Sequence, residues 1–152
     1  MSSEITLAED TSDCNLLGKH LLAQAQSVAR QLRRHRVVAR TVTLKLKTGD
    51  FQRLSRSQTL TKPIRSSDAI YHVALALLKA YPMPKPVRLV GVAVSGLQSE
   101  KQPVQQGLFV EVEETLHRKW ESVDQAMDAV TQKYGHSFVA RGIQTSSQKN
   151  KK

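Results

Sequence analysis

Over residues 37–60 the spacing of apolar side chains drops from the period of a helix to a period of two. Val42, Leu44 and Leu46 alternate with Thr41, Thr43, Lys45 and Lys47. Successive side chains of a strand point to opposite faces, so the pattern predicts a strand with one apolar and one polar face. Thr48-Gly49-Asp50 supplies a turn, and residues 51–60 return as a second strand rich in Ser, Thr and Arg. An isolated hairpin is marginal in water. The flanking segments must therefore cover its apolar face.

Those flanks read as helices. Ser12 and Asp13 offer an N-cap, and Leu17, Leu21, Val28 and Leu32 follow at helical spacing. Arg30, Arg33 and Arg34 come late, where cations suit the helix dipole, and the helix should end near His35 or Arg36. Pro63 is expected to end the hairpin. The Ser66-Ser67-Asp68 group then caps a second helix, striped by Ile70, Val73, Ala74, Leu77, Leu78 and Tyr81 and stopped by Pro82 and Pro84. Glu4 to Leu7 fits a short edge strand. Residues 87–97, with Leu89, Val90, Val92 and Val94 and few charges, predict a strand inside the sheet.

The predicted fold class is α+β, a four-stranded sheet in β-α-β-β-α-β order with two helices on one face, a split βαβ arrangement. The other face stays free. The folded domain is expected over residues 1–97 and a polar linker containing Pro103 over 98–121. A short amphipathic helix is expected over 122–136, with Ser122 and Gln125 as a capping box and Gly135 after its end. The remainder, 137–152, is polar and expected to be disordered.

A chain of 152 residues allows one domain of ordinary size. Its positive charge is concentrated. Between Arg30 and Arg65 eleven Lys or Arg stand against Asp50 alone, so this stretch carries an excess as large as the +10 of the whole chain. Such a field points to a polyanion, nucleic acid first and an anionic membrane surface second. No apolar run approaches the roughly 20 residues a membrane helix needs, and the N-terminus lacks a signal-peptide pattern. A soluble, cytoplasmic protein is expected. The single cysteine, Cys14, excludes an internal disulfide or a cysteine metal cluster and reads as a small residue near a helix start.

No catalytic residue and no metal site is expected. The acids include no Asp-x-Asp pair, Glu111, Glu113 and Glu114 read as a solvated segment, and His20, His35, His72, His117 and His136 are scattered. Gly91 and Gly96 do not form a phosphate loop, which needs a Gly-rich run and Lys-Ser or Lys-Thr opening a helix. The pattern is that of a binding domain.

Three separated motifs carry a resemblance. Ala39 to Lys47 with Asp50-Phe51, Ser55-Arg56-Ser57 and Thr59-Leu60 resembles the little-finger domain of Y-family translesion DNA polymerases, especially bacterial DNA polymerase IV. Pro86 to Val92 with Val94-Ser95-Gly96-Leu97 is similar to that domain's last strand, and Glu4-x-Thr6-Leu7 to its first, with Leu7 where Phe is usual. The resemblance implies a domain that lies in the major groove of duplex DNA and grips both backbones without polymerising it. It also implies that the palm, fingers and thumb, with their catalytic carboxylates and magnesium, precede this segment in the longer protein, so that Met1 need not be a natural start. No cofactor is expected in this chain.

A lesion-tolerant grip must be indifferent to base sequence, and contacts to phosphate carry no base identity. Hydroxyls, backbone N–H groups and cations on an open sheet face supply such contacts. The expected DNA-binding residues are Thr41, Thr43 and Lys45 from one strand, Ser55, Arg56 and Ser57 from the next, and Arg88 from the last. Strict alternation puts Arg56 on the face opposite Ser55 and Ser57, so a bulge is required if all three reach DNA. Arg30, Arg33, Arg34 and Arg36 are placed behind the sheet.

Gln105-Gln106-Gly107-Leu108-Phe109 reads Q-x-x-L-F, which resembles the peptide that bacterial polymerases use to dock on the sliding clamp. In that reading Leu108 and Phe109 fill an apolar pocket while Gln105 bonds at its rim. Two rival readings are a small RNA-binding or ribosome-associated split βαβ module and a domain for an acidic protein partner. Phe51 is the only aromatic of the basic hairpin, which disfavours stacking of unpaired RNA bases.

Overall fold

The computed structural model describes residues 1–99 and 112–134. Its elements are β1 (Ser2–Thr11), α1 (Cys14–Arg34), β2 (Val37–Thr48), β3 (Arg53–Ile64), α2 (Ser67–Lys79), β4 (Val87–Ser99) and α3 (Val112–Tyr134). The four strands form one antiparallel sheet in the order β1-β4-β2-β3. The expected α+β class and β-α-β-β-α-β order are both present.

Helical periodicity and strand alternation meet in one core. Leu17, Leu21, Val28 and Leu32 of α1 and Ile70, Ala74 and Leu78 of α2 are buried against Val42, Leu44 and Leu46 of β2 and Val90, Val92 and Val94 of β4. Each large aliphatic side chain so removed from water contributes roughly 1.5–3 kcal/mol. Both helices start on the expected caps. The Asp13 carboxylate accepts from Asn15 N at 2.8 Å, and Ser66 Oγ accepts from Ala69 N at 3.3 Å. Cys14 is the exposed first residue of α1.

The edges depart from expectation. Strand β1 runs from Ser2 to Thr11, well beyond Glu4 to Leu7, and β3 continues through Pro63 to Ile64. Proline is tolerated because β3 is an edge strand, where its missing N–H breaks no inner ladder, and the register shifts between Ala39 and Thr41 opposite it. At the hairpin tip the left-handed residue is Phe51, with φ of 65°, and Phe51 N donates to Thr48 O at 3.0 Å. Gly49 leaves space that the Asp10 carboxylate occupies.

Helix α3 begins at Val112, not at Ser122, which lies inside it. Of the expected linker, residues 98 and 99 complete β4 and residues 112–121 are helical, while residues 100–111 lie outside the described residues. The helical spacing of Val123, Met127 and Val130 continues a period that the sequence carries back through Leu116 to Val112. The capping-box pattern at Ser122 is overridden by that longer period. The tail at 137–152 lies outside the described residues.

Polar contacts dock α3 on the helical layer. Asp124, 3% exposed, accepts from Ser67 N at 2.8 Å and from Ser67 Oγ at 2.6 Å, adding a second cap to α2. Arg33 reaches Asp124 at 3.4 Å and Asp128 at 2.6 Å, and Arg65 reaches Glu121 at 3.2 Å. Replacing Asp124 with Ala removes a buried acceptor from the start of α2 and a carboxylate from Arg33. The expected cost is about 2–4 kcal/mol, measured by urea unfolding followed through Trp120, the sole tryptophan. An unchanged midpoint contradicts the docking.

Candidate nucleic-acid interface

The sheet face turned away from α1 and α2 follows from the register. Thr43 stands between Ala93 of β4 and Ser57 of β3, and Ala93 in turn pairs with Ser2 of β1. The next rows are Glu4, Gly91, Lys45 and Ser55, then Thr6, Leu89, Lys47 and Arg53. At the other end Ser95, Thr41 and Thr59 align. Most of these side chains are short, so the face is shallow. Hydroxyls bridge the strands, Thr41 Oγ1 to Thr59 Oγ1 at 3.0 Å and Thr43 Oγ1 to Ser57 Oγ at 2.8 Å. In each pair one hydroxyl donates to the other, and the accepting hydroxyl keeps its own proton to donate to a phosphate oxygen.

Five of the seven expected contact residues share this face: Thr41, Thr43 and Lys45 of β2 with Ser55 and Ser57 of β3. Arg56 does not. It stands opposite Leu44, and pairing is continuous from Thr41 with Thr59 to Lys47 with Arg53. No bulge therefore turns Arg56 from the helix side, which it shares with Leu54 and Gln58. Counting alternation back from Lys45 across the turn would have selected Arg53 and Thr59 instead, since Lys47 faces Arg53 and Thr41 faces Thr59.

Arg88 sits at the margin. Thr48 pairs with Val87 and Lys47 with Leu89, so Arg88 is an extra residue at a bulge beside the hairpin tip. Its guanidinium lies 5.1 Å from the centre of the Phe51 ring, which Lys47 Nζ approaches to 4.5 Å. Arg88 is also paired with Asp10, Nε to Oδ1 at 2.8 Å and Nη2 to Oδ2 at 3.1 Å. That hydrogen bonding holds the Asp10 carboxyl below the usual carboxylate range and raises the Arg88 guanidinium. Asp50 is lowered likewise, first by Lys85 Nζ at 2.5 Å and then by Thr48.

On the opposite side of the sheet Arg33 is engaged by α3, as placement behind the sheet requires. Among the described residues no group of three or more His, Cys, Asp or Glu side chains converges to hold a metal ion. No described helix is long and apolar enough to cross a membrane. Gln105, Leu108 and Phe109 lie outside the described residues.

Comparison with known proteins agrees with this architecture. The impB/mucB/samB family C-terminal domain matches residues 1–108. DNA polymerase IV of Alkaliphilus oremlandii is 34% identical over 142 residues, covering 90% of this chain and 35% of the relative. DNA polymerase IV of Xanthomonas oryzae pv. oryzae is 39% identical over 115 residues, covering 74% of this chain and 32% of the relative. The chain thus spans about a third of the length of these curated relatives. Among solved structures, an insertion ternary complex of Dbh DNA polymerase matches with a TM-score of 0.58 and 21% identity, over 64% of this chain and 28% of that one. The little finger domain of PolIV in complex with the beta-clamp processivity factor matches with a TM-score of 0.51 and 21% identity, over 73% of this chain and 96% of that one. At these identities the structural likeness speaks to the fold. The chain belongs to the impB/mucB/samB family C-terminal domain, the little-finger domain of Y-family DNA polymerases, of the kind found in bacterial DNA polymerase IV.

Proposed function

We propose that this chain is the part of an error-prone translesion DNA polymerase that grips duplex DNA through its phosphates, and that it also docks on a sliding clamp. One observation carries the first half: a shallow sheet face that presents Thr41, Thr43, Ser55, Ser57, Thr59 and Ser95 together with Lys45, Lys47 and Arg53. Cations neutralise phosphates and hydroxyls fix register, and neither reads a base. A convex duplex surface needs such a face to be free of bulky side chains, and Gly91 and Ala93 at its centre meet that need. The match to a polymerase ternary complex supports the same reading. The RNA-binding alternative loses support because, among the described residues, the aromatic beside the face is Phe51, which stands at the hairpin tip and not on the sheet.

The domain partition follows the same logic. Residues 1–97 form the grip and the segment after β4 holds the clamp peptide. Polymerisation belongs to the longer protein whose relatives are named DNA polymerase IV, of which this segment is about a third. A cytoplasmic location suits that work. The clamp half of the proposal rests on Gln105, Leu108 and Phe109 and on the match to a clamp-bound little finger domain.

Replacing Lys45, Lys47 and Arg53 together with Ala should weaken duplex binding at low salt and flatten log K against log salt by about 2–3, at roughly 0.9 per phosphate no longer neutralised. Arg56→Ala should change the slope far less. A slope unaffected by the triple substitution, or affinity that follows base sequence, contradicts the proposal. Leu108→Ala with Phe109→Ala should abolish retention on immobilised clamp while leaving duplex affinity within about twofold, since apolar anchors dominate such docking. Retention of the variant shows that the peptide is not the docking element.

A further inference from the structure

Two cations on or beside the open face are held by carboxylates of β1. Asp10 takes Arg88 through both oxygens, at 2.8 and 3.1 Å, and Glu4 Oε2 stands 3.8 Å from Lys45 Nζ. The backbone makes room for each acid. Gly91 lies between Glu4 and Lys45 in the same row. A Cβ on Gly91 would come within 2.5 Å of Glu4 Cβ and 2.9 Å of Ser3 O. At Gly49 a Cβ would strike the Asp10 carboxylate. Gly91 thus lets β1 bring Glu4 close beside the Lys45 row, and the Asp10 carboxylate occupies the space over Gly49.

Neither pair is placed to stabilise the fold. Lys45 and Glu4 are 40% and 50% exposed, and Arg88 and Asp10 are 39% and 29% exposed. Water and salt screen pairs of this exposure, and their contribution to stability is small. The ion pairs that hold α3 differ: Asp124 is 3% and Arg33 11% exposed, and they lie in the helical layer. The β1 pairs are positioned instead to act when a polyanion arrives. Phosphate and carboxylate are both oxyanions that fit the guanidinium fork, so one can replace the other at Arg88.

We infer that strand β1 is a built-in counter-charge: Glu4 and Asp10 compete with DNA phosphates for Lys45 and Arg88, and so set how tightly the sheet face holds a duplex. The inference rests on the DNA-binding reading above and deepens it. A cation already neutralised within the protein recruits no new phosphate until its carboxylate is displaced, so the wild-type face grips less tightly than its count of cations allows. A loose grip lets the duplex slide.

The test uses the full chain, a fluorescently labelled duplex of arbitrary sequence and binding isotherms over a series of salt concentrations. Glu4→Gln with Asp10→Asn is compared with a charge-matched control, Glu9→Gln with Asp68→Asn, whose acids touch neither Lys45 nor Arg88 in the described contacts. The first double variant should bind roughly tenfold tighter than wild type at low salt, with a slope steeper by about 1–2, the order expected for two added phosphate contacts. The control should show only the smaller gain from long-range attraction. Equal gains in the two double variants, or no gain in the first, overturn the inference. Thermal melting checks that both are folded. Should the first fail to fold, Lys45→Ala is introduced into wild type and into Glu4→Gln: competition requires a larger loss of affinity in the Glu4→Gln background, and equal losses overturn it. Wild-type protein that shows no salt-dependent duplex binding overturns the DNA-binding reading itself, whereas normal wild-type binding with indistinguishable variants overturns only the role of β1.

Discussion

Everything in this domain depends on the one-sided burial of β2. Val42, Leu44 and Leu46 have no exposed surface or almost none, and only a helical layer on that side can keep them dry. Once α1 and α2 are committed there, alternation leaves Thr41, Thr43, Lys45 and Lys47 on the other face, so β2 itself offers no apolar side chain to recruit a second layer. The same burial that folds the domain thus creates its open surface. A one-residue slip of β2 would exchange the two faces and lose both core and grip.

Charge is sorted by the same geometry. Arg33 and Arg65 on the helical side are met by Asp124, Asp128 and Glu121 of α3, while Lys47 and Arg53 align on the open face. A net charge spread over a surface gives solubility; the same charge aligned along one open sheet face gives a track for phosphates. The acids Glu4 and Asp10 then moderate that track from its edge strand.

Much of this was legible from residue order, for physical reasons that differ by element. Alternation in β2 and helical stripes in α1 and α2 are driven by burial, so they appear directly in the spacing of Val42, Leu44, Leu46, Leu17, Leu21 and Ile70. The motif Ser55-Arg56-Ser57 puts all three residues on one face only if a bulge interrupts alternation, and the continuous pairing of β2 with β3 leaves Arg56 on the helix side. The start of α3 was obscured by a plausible cap at Ser122, and its anchor could not be seen at all. Asp124 meets Ser67 only through tertiary packing, and no local pattern marks a cap supplied from so far along the chain. The β1 pairs were hidden for the same reason, since Glu4 and Asp10 find Lys45 and Arg88 only once β4 lies between β1 and β2.

The central claim is that duplex DNA lies on the open sheet face and not on the helical layer. Backbone amide chemical shifts, followed by NMR while an arbitrary-sequence duplex is titrated at low salt, test it directly. The account predicts the largest changes at Thr41, Thr43, Lys45, Ser55, Ser57, Ala93 and Ser95, with little change along the outer surfaces of α1 and α2. Changes concentrated at Arg30, Arg34 and Arg36, with the sheet residues unmoved, would contradict it.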